Sequence, residues 1–573
     1  MKRGILSVKA INQYRSRDIV SYLGLRYYLE NASACKDRWI KDVSTQISLD
    51  RKELSYFKSN HFKSIDVSGV VTHRFIHLPG PNEILAECAL ITELSRHKSF
   101  KPPPYVYSYI FSDPDSKSGV FEPYFTGYKN MHASIADACR ARDYGGVLYS
   151  DIQKFYPSIS NELAVTSWRE AVSNSNLENK YKKLGDHILE SHRKTSEVEG
   201  GSKGLLTGPM LSHVIANLVL SKIDSFMYGY TNGNYWRYVD DIVFVGRDEQ
   251  LTEWKAVLNE HLSQLGLDLH TGEKDFRVDA SEWIKSEGDF EINVSIPWIS
   301  LIADTKRLLL SDPSSEERLH KSLSEHGFRI PVSSYSQAIK ESTYIQRFSD
   351  WMAKYKWAKR SVESISVNSI IQSASLARAY YQPVLYQLLE QNIDDLSRYQ
   401  RKRLIPKLRY YSGRLLYLMT DDDLMELSSR LAAIPEMSLI SKIMNAVATR
   451  DVSEVVKLGS NATQSAAQIL KTIDKPVKCT VNDTNEMVYQ SISYLILNGI
   501  SMEFEKIDGE FSEFARGENI IKLMNSDDKY IREIACLHGV SDPRHSEIFD
   551  EAFDRDEDLI FDVISQLHNS SHG

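Results

Sequence analysis

Cysteine is scarce. There are five in 573 residues, at positions 35, 88, 139, 479 and 536, and none forms a Cys-x-x-Cys pair. That spacing argues against a cysteine-rich zinc module or a disulfide framework, and suits a reducing, cytoplasmic setting. Long hydrophobic runs are missing too. No stretch of about 18 apolar residues occurs, so no membrane span is expected. The first residues lack the apolar centre of a signal peptide, so no secretory leader is expected. Nor is there a basic excess. Lys and Arg number 69 against 77 Asp and Glu, for a net charge of −8. Any contact with nucleic acid must then come from local basic patches rather than from a global field. Beyond about residue 315 glycine and proline thin out, and with them the turn signals.

What is present centres on residues 235–246, Tyr235-Trp-Arg-Tyr-Val-Asp-Asp-Ile-Val-Phe-Val-Gly246. Two apolar runs of strand composition flank two adjacent carboxylates. The pattern predicts a β-hairpin with Asp240 and Asp241 at its tight connection. Side-by-side carboxylates repel unless a cation lies between them. Oxygen-only ligands suit Mg²⁺, which keeps waters and takes phosphates as its other ligands. Alone, the pair reads equally well as a solvated turn.

Around this stretch the chain divides into two to four units, with 42% hydrophobic residues to build their cores. Residues 144–151 read as a short apolar strand ending in Asp151. Asn161 is placed to cap a helical stretch over 161–195, and a helix over about 211–228 carries Leu211, Ile215, Leu218 and Val219 on one stripe. A helix over 249–265 and a strand-like segment to 276 follow the hairpin. This order predicts an α+β layer with helices on one face of an antiparallel sheet, and Asp151 beside Asp240 and Asp241. Earlier, a helix is expected over about 18–34, and Asn82 is a candidate cap for another reaching about Arg96. The alternation from Tyr105 to Phe111 reads as a strand. From about 315, amphipathic stretches recur at 336–360, 373–391, 422–433, 483–498 and 516–537. They read as an all-α region that suits a helical repeat, though without a clean period, ending in an acidic run from Asp550 that suits a solvated helix face. The expected divisions are an N-terminal extension at 1–80, a catalytic unit at 81–275, a connection at 276–325 and the helical region at 326–573.

Four segments in order resemble the palm of reverse transcriptases. They are Asp151-Ile-Gln-Lys-Phe-Tyr-Pro-Ser-Ile159, Gly204-Leu-Leu-Thr-Gly-Pro-Met-Leu-Ser212 with Ala216, Asn217 and Asp224, Tyr238-Val-Asp-Asp241, and Leu265-Gly-Leu-Asp-Leu-His-Thr-Gly-Glu-Lys274. Trp298-Ile-Ser-Leu-Ile302 is a weaker match to the primer-grip segment. The resemblance covers about residues 80–310 and implies a fingers/palm unit, here followed by a thumb-like connection. The usual Pro-Gln before the glycine of the second segment is Leu206-Thr207, and the basic finger motif that grips a triphosphate is not recognisable. Its only echo is Lys117-Ser-Gly119.

A palm without nuclease or maturase motifs, followed by a long helical region, is similar to bacterial abortive-infection and defence-associated reverse transcriptases. That resemblance implies an RNA-directed DNA polymerase acting on dNTPs in antiphage defence, with RNA and DNA as partners, and a homo-oligomer. Two rival readings stand beside it: protein-primed, template-independent DNA synthesis, and an RNA-binding oligomeric scaffold without catalysis. The implied chemistry uses two Mg²⁺ ions on Asp151, Asp240 and Asp241, with the backbone carbonyl of Ile152 as a further ligand. Tyr156 would select deoxynucleotides against a 2′-hydroxyl, or is a core aromatic. Gly208 would admit nucleotide or template, or is a helix-entry glycine. Lys274 would clamp pyrophosphate, or is a solvated lysine.

Two basic-aromatic clusters lie in the helical region. One is Lys354-Tyr-Lys-Trp-Ala-Lys-Arg360. The other holds Arg401, Lys402, Arg403, Lys407 and Arg409, with Arg398 and Arg414 nearby. Cations interleaved with rings suit single-stranded nucleic acid, though a solvated helix face or an oligomer contact fits the same pattern. Tyr399, Tyr410 and Tyr411 are candidate priming hydroxyls, which basic neighbours would make easier to ionise.

Overall fold

The structure is a computed structural model. It describes residues 4–14, 25, 29, 33–333 and 365–505, apart from 55, 67–68, 117–118, 142–144, 199–203, 273, 287–291, 474, 482–484 and 498–499, together with 513, 520–523 and 525. Several expectations therefore lie outside the described residues. These are most of the 18–34 helix, Lys117 and Ser118, the helix over 336–360 with the Lys354–Arg360 cluster, most of 516–537, Cys536 and the acidic run from Asp550.

The first helix, α1 (Ile5–Tyr14), packs on α2 (Pro81–Leu94). Between them lies an antiparallel two-stranded sheet, β1 (Tyr56–Ile65) and β2 (Val71–Pro79). The start of α2 differs from expectation. Gly80 is its N-cap and Pro81 its first residue, the position where a missing N–H costs nothing. Asn82 is buried instead, and its amide donates to Ser44 O (3.1 Å) and Ser48 Oγ (2.9 Å).

Then come α3 (Tyr124–Arg140), β3 (Gly146–Asp151), α4 (Asn161–Ser173), α5 (Asn179–Val198) and α6 (Met210–Tyr230). Ser160, not Asn161, caps α4, its Oγ accepting from Leu163 N at 3.2 Å. The hairpin β4 (Tyr235–Tyr238) and β5 (Asp241–Gly246), α7 (Asp248–Gln264), β6 (Phe276–Asp279) and α8 (Ala280–Lys285) complete this unit. Residues 105–111 form no strand. Three prolines precede them, Tyr109 takes a positive φ of 52°, and only single bridges join Val106 to Arg237 and Phe111 to Phe121.

The sheet runs β4-β5-β3-β6, antiparallel throughout. Alternation along its strands splits the side chains between two faces. Leu148, Ile242, Phe244 and Tyr235 face α6 and α7 within the large core. Val147, Tyr149, Trp236, Val243, Val245 and Val278 face Met131 and Ile135 of α3 and Trp283 of α8. Helices thus cover both faces, not one as the sequence pattern suggested. The strands are apolar in both registers, which leaves two faces to bury.

Beyond the sheet come α9 (Ile296–Ser311), α10 (Glu316–Glu325), α11 (Val367–Leu389), α12 (Arg398–Leu418), α13 (Asp421–Ala432), α14 (Ser438–Thr449), α15 (Ser460–Leu470), β7 (Val477–Thr480), α16 (Glu486–Leu497) and β8 (Met502–Glu505). Successive helices pack as hairpins: α11 on α12, α13 on α14, α15 on α16. The region is not all-α, because β7 and β8 pair in parallel. Val477 and Cys479 are buried and alternate with exposed positions, a strand period inside a helical neighbourhood.

Among the contacts that tie this region back to the first part of the chain are the following two. The start of α12 sits on β6 and α8, and α15 holds β1. In the second contact Ser59 Oγ meets Ser460 Oγ at 2.7 Å, and Phe62 N donates to Asn461 Oδ1 at 2.9 Å. Gly459, at φ 106°, lets the chain pass close by, because a Cβ there would stand 2.2 Å from Asn60 O.

Candidate active site

The β4–β5 connection is a two-residue turn, Val239-Asp240. Val239 has a positive φ of 57°, costly for a β-branched residue. Two bonds to Val239 hold it. Val239 N–H donates to Ser108 Oγ at 2.8 Å. Arg237 Nη1 donates to Val239 O at 2.9 Å. Arg237 is itself held by Asp224 of α6 through Nε–Oδ1 and Nη2–Oδ2, both 2.7 Å, and by Asn217 Oδ1 at 3.2 Å. Asn217 and Asp224, which the resemblance grouped with the Gly204–Ser212 segment, therefore brace the turn through Arg237.

This turn sets the three aspartates. Asp151 and Asp241 lie directly opposite each other in the β3–β5 ladder, where Cβ atoms stand about 4.5–5.5 Å apart. Asp240 O accepts from Ile152 N at 3.0 Å, so the turn and the end of β3 are joined through backbone. All three carboxylates are buried. Burial pushes Asp240 well above the usual carboxylate range, and the charges of Asp241 and Asp151 add to it. Burial and Asp241 also raise Asp151, against Lys274, whose Nζ donates to both Asp151 oxygens at 3.2 Å. Asp240 Oδ1 is buried with no hydrogen-bond partner among the described residues.

That donor set fits a hard divalent cation in kind: carboxylate oxygens that repel one another, one of them lacking a partner. It is not assembled into a cage. Among the described residues no three Asp, Glu, His or Cys side chains are grouped to hold a metal ion. Cationic side chains supply the countercharge instead.

Two of these cations escaped the sequence reading. Arg74 of β2 faces Asp240 and Asp151 and also Tyr109 and Tyr156, and its burial lowers its pKa. Lys63 of β1 falls where the β1–β2 register shifts, between Phe62 and Ser64. Such a bulge re-aims a side chain; Lys63 stays exposed, within electrostatic reach of Arg74, Lys274, Lys154 and Asp151. Partial desolvation lowers its pKa, and the neighbouring cations lower it further. No motif in the sequence marks either residue.

Tyr156 lies in this setting too. Its ring is buried, and its hydroxyl shares a 2.6 Å hydrogen bond with His213 Nδ1. The His213 ring stacks on Tyr109 at 3.9 Å. Gly208, at φ 123°, serves packing between protein segments. A Cβ there would stand 2.4 Å from His77 O, and His77 N donates to Thr207 O. The close approach is to the backbone of β2.

The basic cluster of α12 does not form one patch. Arg401 pairs with Glu436 through Nε (2.6 Å) and Nη2 (2.8 Å). Arg409 Nη2 donates to Glu436 O at 3.0 Å, and burial lowers its pKa to about 10. Lys402 turns the other way, toward the sheet, with Nζ 3.5 Å from the Tyr149 ring centroid. Arg403 lies 5.8 Å over Tyr399, and Lys407 is half-buried. Of the three tyrosines, Tyr399 and Tyr411 are buried and Tyr410 is half-buried. Tyr399 is buried and bonded to Ser286 Oγ (2.6 Å) and His132 Nε2 (3.2 Å). Tyr410 and Tyr411 lie edge to face at 5.4 Å, and burial pushes Tyr411 up to about 12. That is opposite to the easier ionisation expected from basic neighbours.

No helix among the described residues is long and apolar enough to cross a membrane. No protein-family model and no curated protein matches the chain. Among solved structures, a telomerase from Candida albicans in complex with a TWJ fragment of telomeric RNA is similar over 71% of this chain and 71% of its own, at 12% identity and a TM-score of 0.28. An apo telomerase from Candida tropicalis is similar over 71% and 72%, at 10% identity and a TM-score of 0.27. Scores of this size assign neither fold nor chemistry.

Proposed function

We propose that the protein is a nucleotidyltransferase of the reverse-transcriptase type, extending DNA from dNTPs. The observation that supports this most is the buried Asp240 Oδ1, without a partner among the described residues and beside two further carboxylates. Asp151, Asp240, Asp241 and the carbonyl of Ile152 would hold magnesium, which would activate the attacking hydroxyl and neutralise leaving pyrophosphate. Lys63, Arg74 and Lys274 are the cations in place for a triphosphate. Tyr156, fixed by His213, would stand under the sugar. The antiphage role, a bound RNA template and assembly into a homo-oligomer belong to the same proposal and rest on the sequence resemblance alone.

The test is incorporation of labelled dNTPs with magnesium, by the wild type and by Asp240→Asn. A roughly thousandfold loss, about 4 kcal/mol, with an unchanged melting curve is expected. Equal rates would remove the assignment. The lysine-neutralised, unassembled carboxylates favour a second reading, a nucleic-acid-binding scaffold. It predicts no incorporation by either protein, while RNA copurifies with both.

A further inference from the structure

The sheet face that carries Asp151 and Asp241 is also touched by the helical region. The first turn of α12 is pinned there at two points. Tyr399 stacks on Trp283 at 5.2 Å and bonds Ser286 and His132. Arg398 Nη1 donates to Gly272 O at 2.8 Å, in the loop before Lys274. One turn beyond Arg398, Lys402 is carried over the sheet. Its Nζ lies 3.5 Å from the centroid of Tyr149 and 5.8 Å from that of Phe276, two rings that stack on each other at 5.1 Å. Tyr149 precedes Asp151 by two residues on β3, so ring and carboxylate share a face. The charged groups facing the ammonium are Asp241, Asp151 and Asp240, which attract it, and Lys274, which repels it. A lysine on a ring beside three carboxylates has both a cation–π seat and countercharge.

We propose that Lys402 is a resident cation of the carboxylate site, a positioning residue that the helical region contributes and that competes with a divalent metal for the same charges. This rests on the metal-dependent reading above. Like charges a few ångströms apart in a poorly solvated site repel strongly. A dication then binds more weakly while Lys402 stays seated, so the seating of α12 sets metal affinity.

The test is direct Mn²⁺ binding to the full-length protein without nucleotide, followed by electron paramagnetic resonance. Lys402→Met and Lys402→Gln should each bind at least tenfold more tightly than the wild type. Lys402→Arg, which keeps the charge, should restore weak binding. Adding Asp240→Asn to Lys402→Met should abolish the tight site. Unchanged affinity in both neutral variants, each confirmed as folded by its melting curve, would overturn the role of Lys402 and leave the metal reading intact. If Asp240→Asn does not weaken Mn²⁺ binding in the wild type, the metal is not at these carboxylates, and both proposals fall.

Discussion

Arg237 and Asp224 meet as a bidentate ion pair in which both side chains are 0% exposed. The same guanidinium holds the carbonyl of Val239, so a strained turn, a buried charge pair and the placement of Asp240 form one unit. Breaking one side of such a pair strands the other charge. Asp224→Ala should therefore destabilise the fold by about 3–5 kcal/mol. The check is the denaturant midpoint, and a shift under 1 kcal/mol would show that the turn does not depend on the pair.

Lys63 and Arg74 should govern nucleotide affinity rather than the chemical step. A hydrogen bond from a charged donor contributes about 1.5–3 kcal/mol, so Lys63→Ala or Arg74→Ala should raise KM for dNTP by roughly tenfold or more. The change in kcat should be smaller, as expected when uniform binding is removed. Steady-state kinetics separates the two, and an unchanged KM in both variants would dismiss the hairpin as the triphosphate grip.

Removal of the charge at Arg401 should be read first as a stability effect. Burial pushes Glu436 up, but hydrogen bonds from Arg401 and from backbone outweigh it and leave its pKa below the ordinary 4.5. A group lowered on folding stabilises above its unfolded pKa, and that contribution is lost as pH falls through the folded value. Melting temperature should accordingly drop below about pH 4.5 more steeply in the wild type than in Arg401→Met. Parallel acid limbs would mean that the pair contributes nothing to the docking of α12 against the 435–437 turn.

The legible parts of the site were those written locally. Asp240 and Asp241 stand between two strand-like runs, and Asp151 ends a third, so hairpin and strand could be read from a dozen residues each. Lys63 and Arg74 could not. They come near the aspartates only because a hairpin far upstream in the chain folds toward them, and Lys63, still exposed, sits where the β1–β2 register shifts. Lys402 was noticed for its charge, yet its direction is set by Tyr399 and Arg398 docking on a sheet completed more than a hundred residues earlier. The misread strand at 105–111 shows the converse. Its alternation is real, but proline and a left-handed tyrosine leave it only a bridge to the edge of β4.

The bonds between β1 and α15 also bear on the order in which the chain acquires its parts. Ser59 and Ser460 are 401 positions apart. A ribosome adding roughly 5–20 residues per second needs about 20–80 s to span that interval. During that time β1 and β2 can pack on α2 and, through His77, on Thr207, but they lack the bonds from Ser460 and Asn461, whereas the sheet carrying all three aspartates is complete once Asp279 has emerged. A nascent chain therefore gains its carboxylates long before the helix that bonds the strand carrying Lys63.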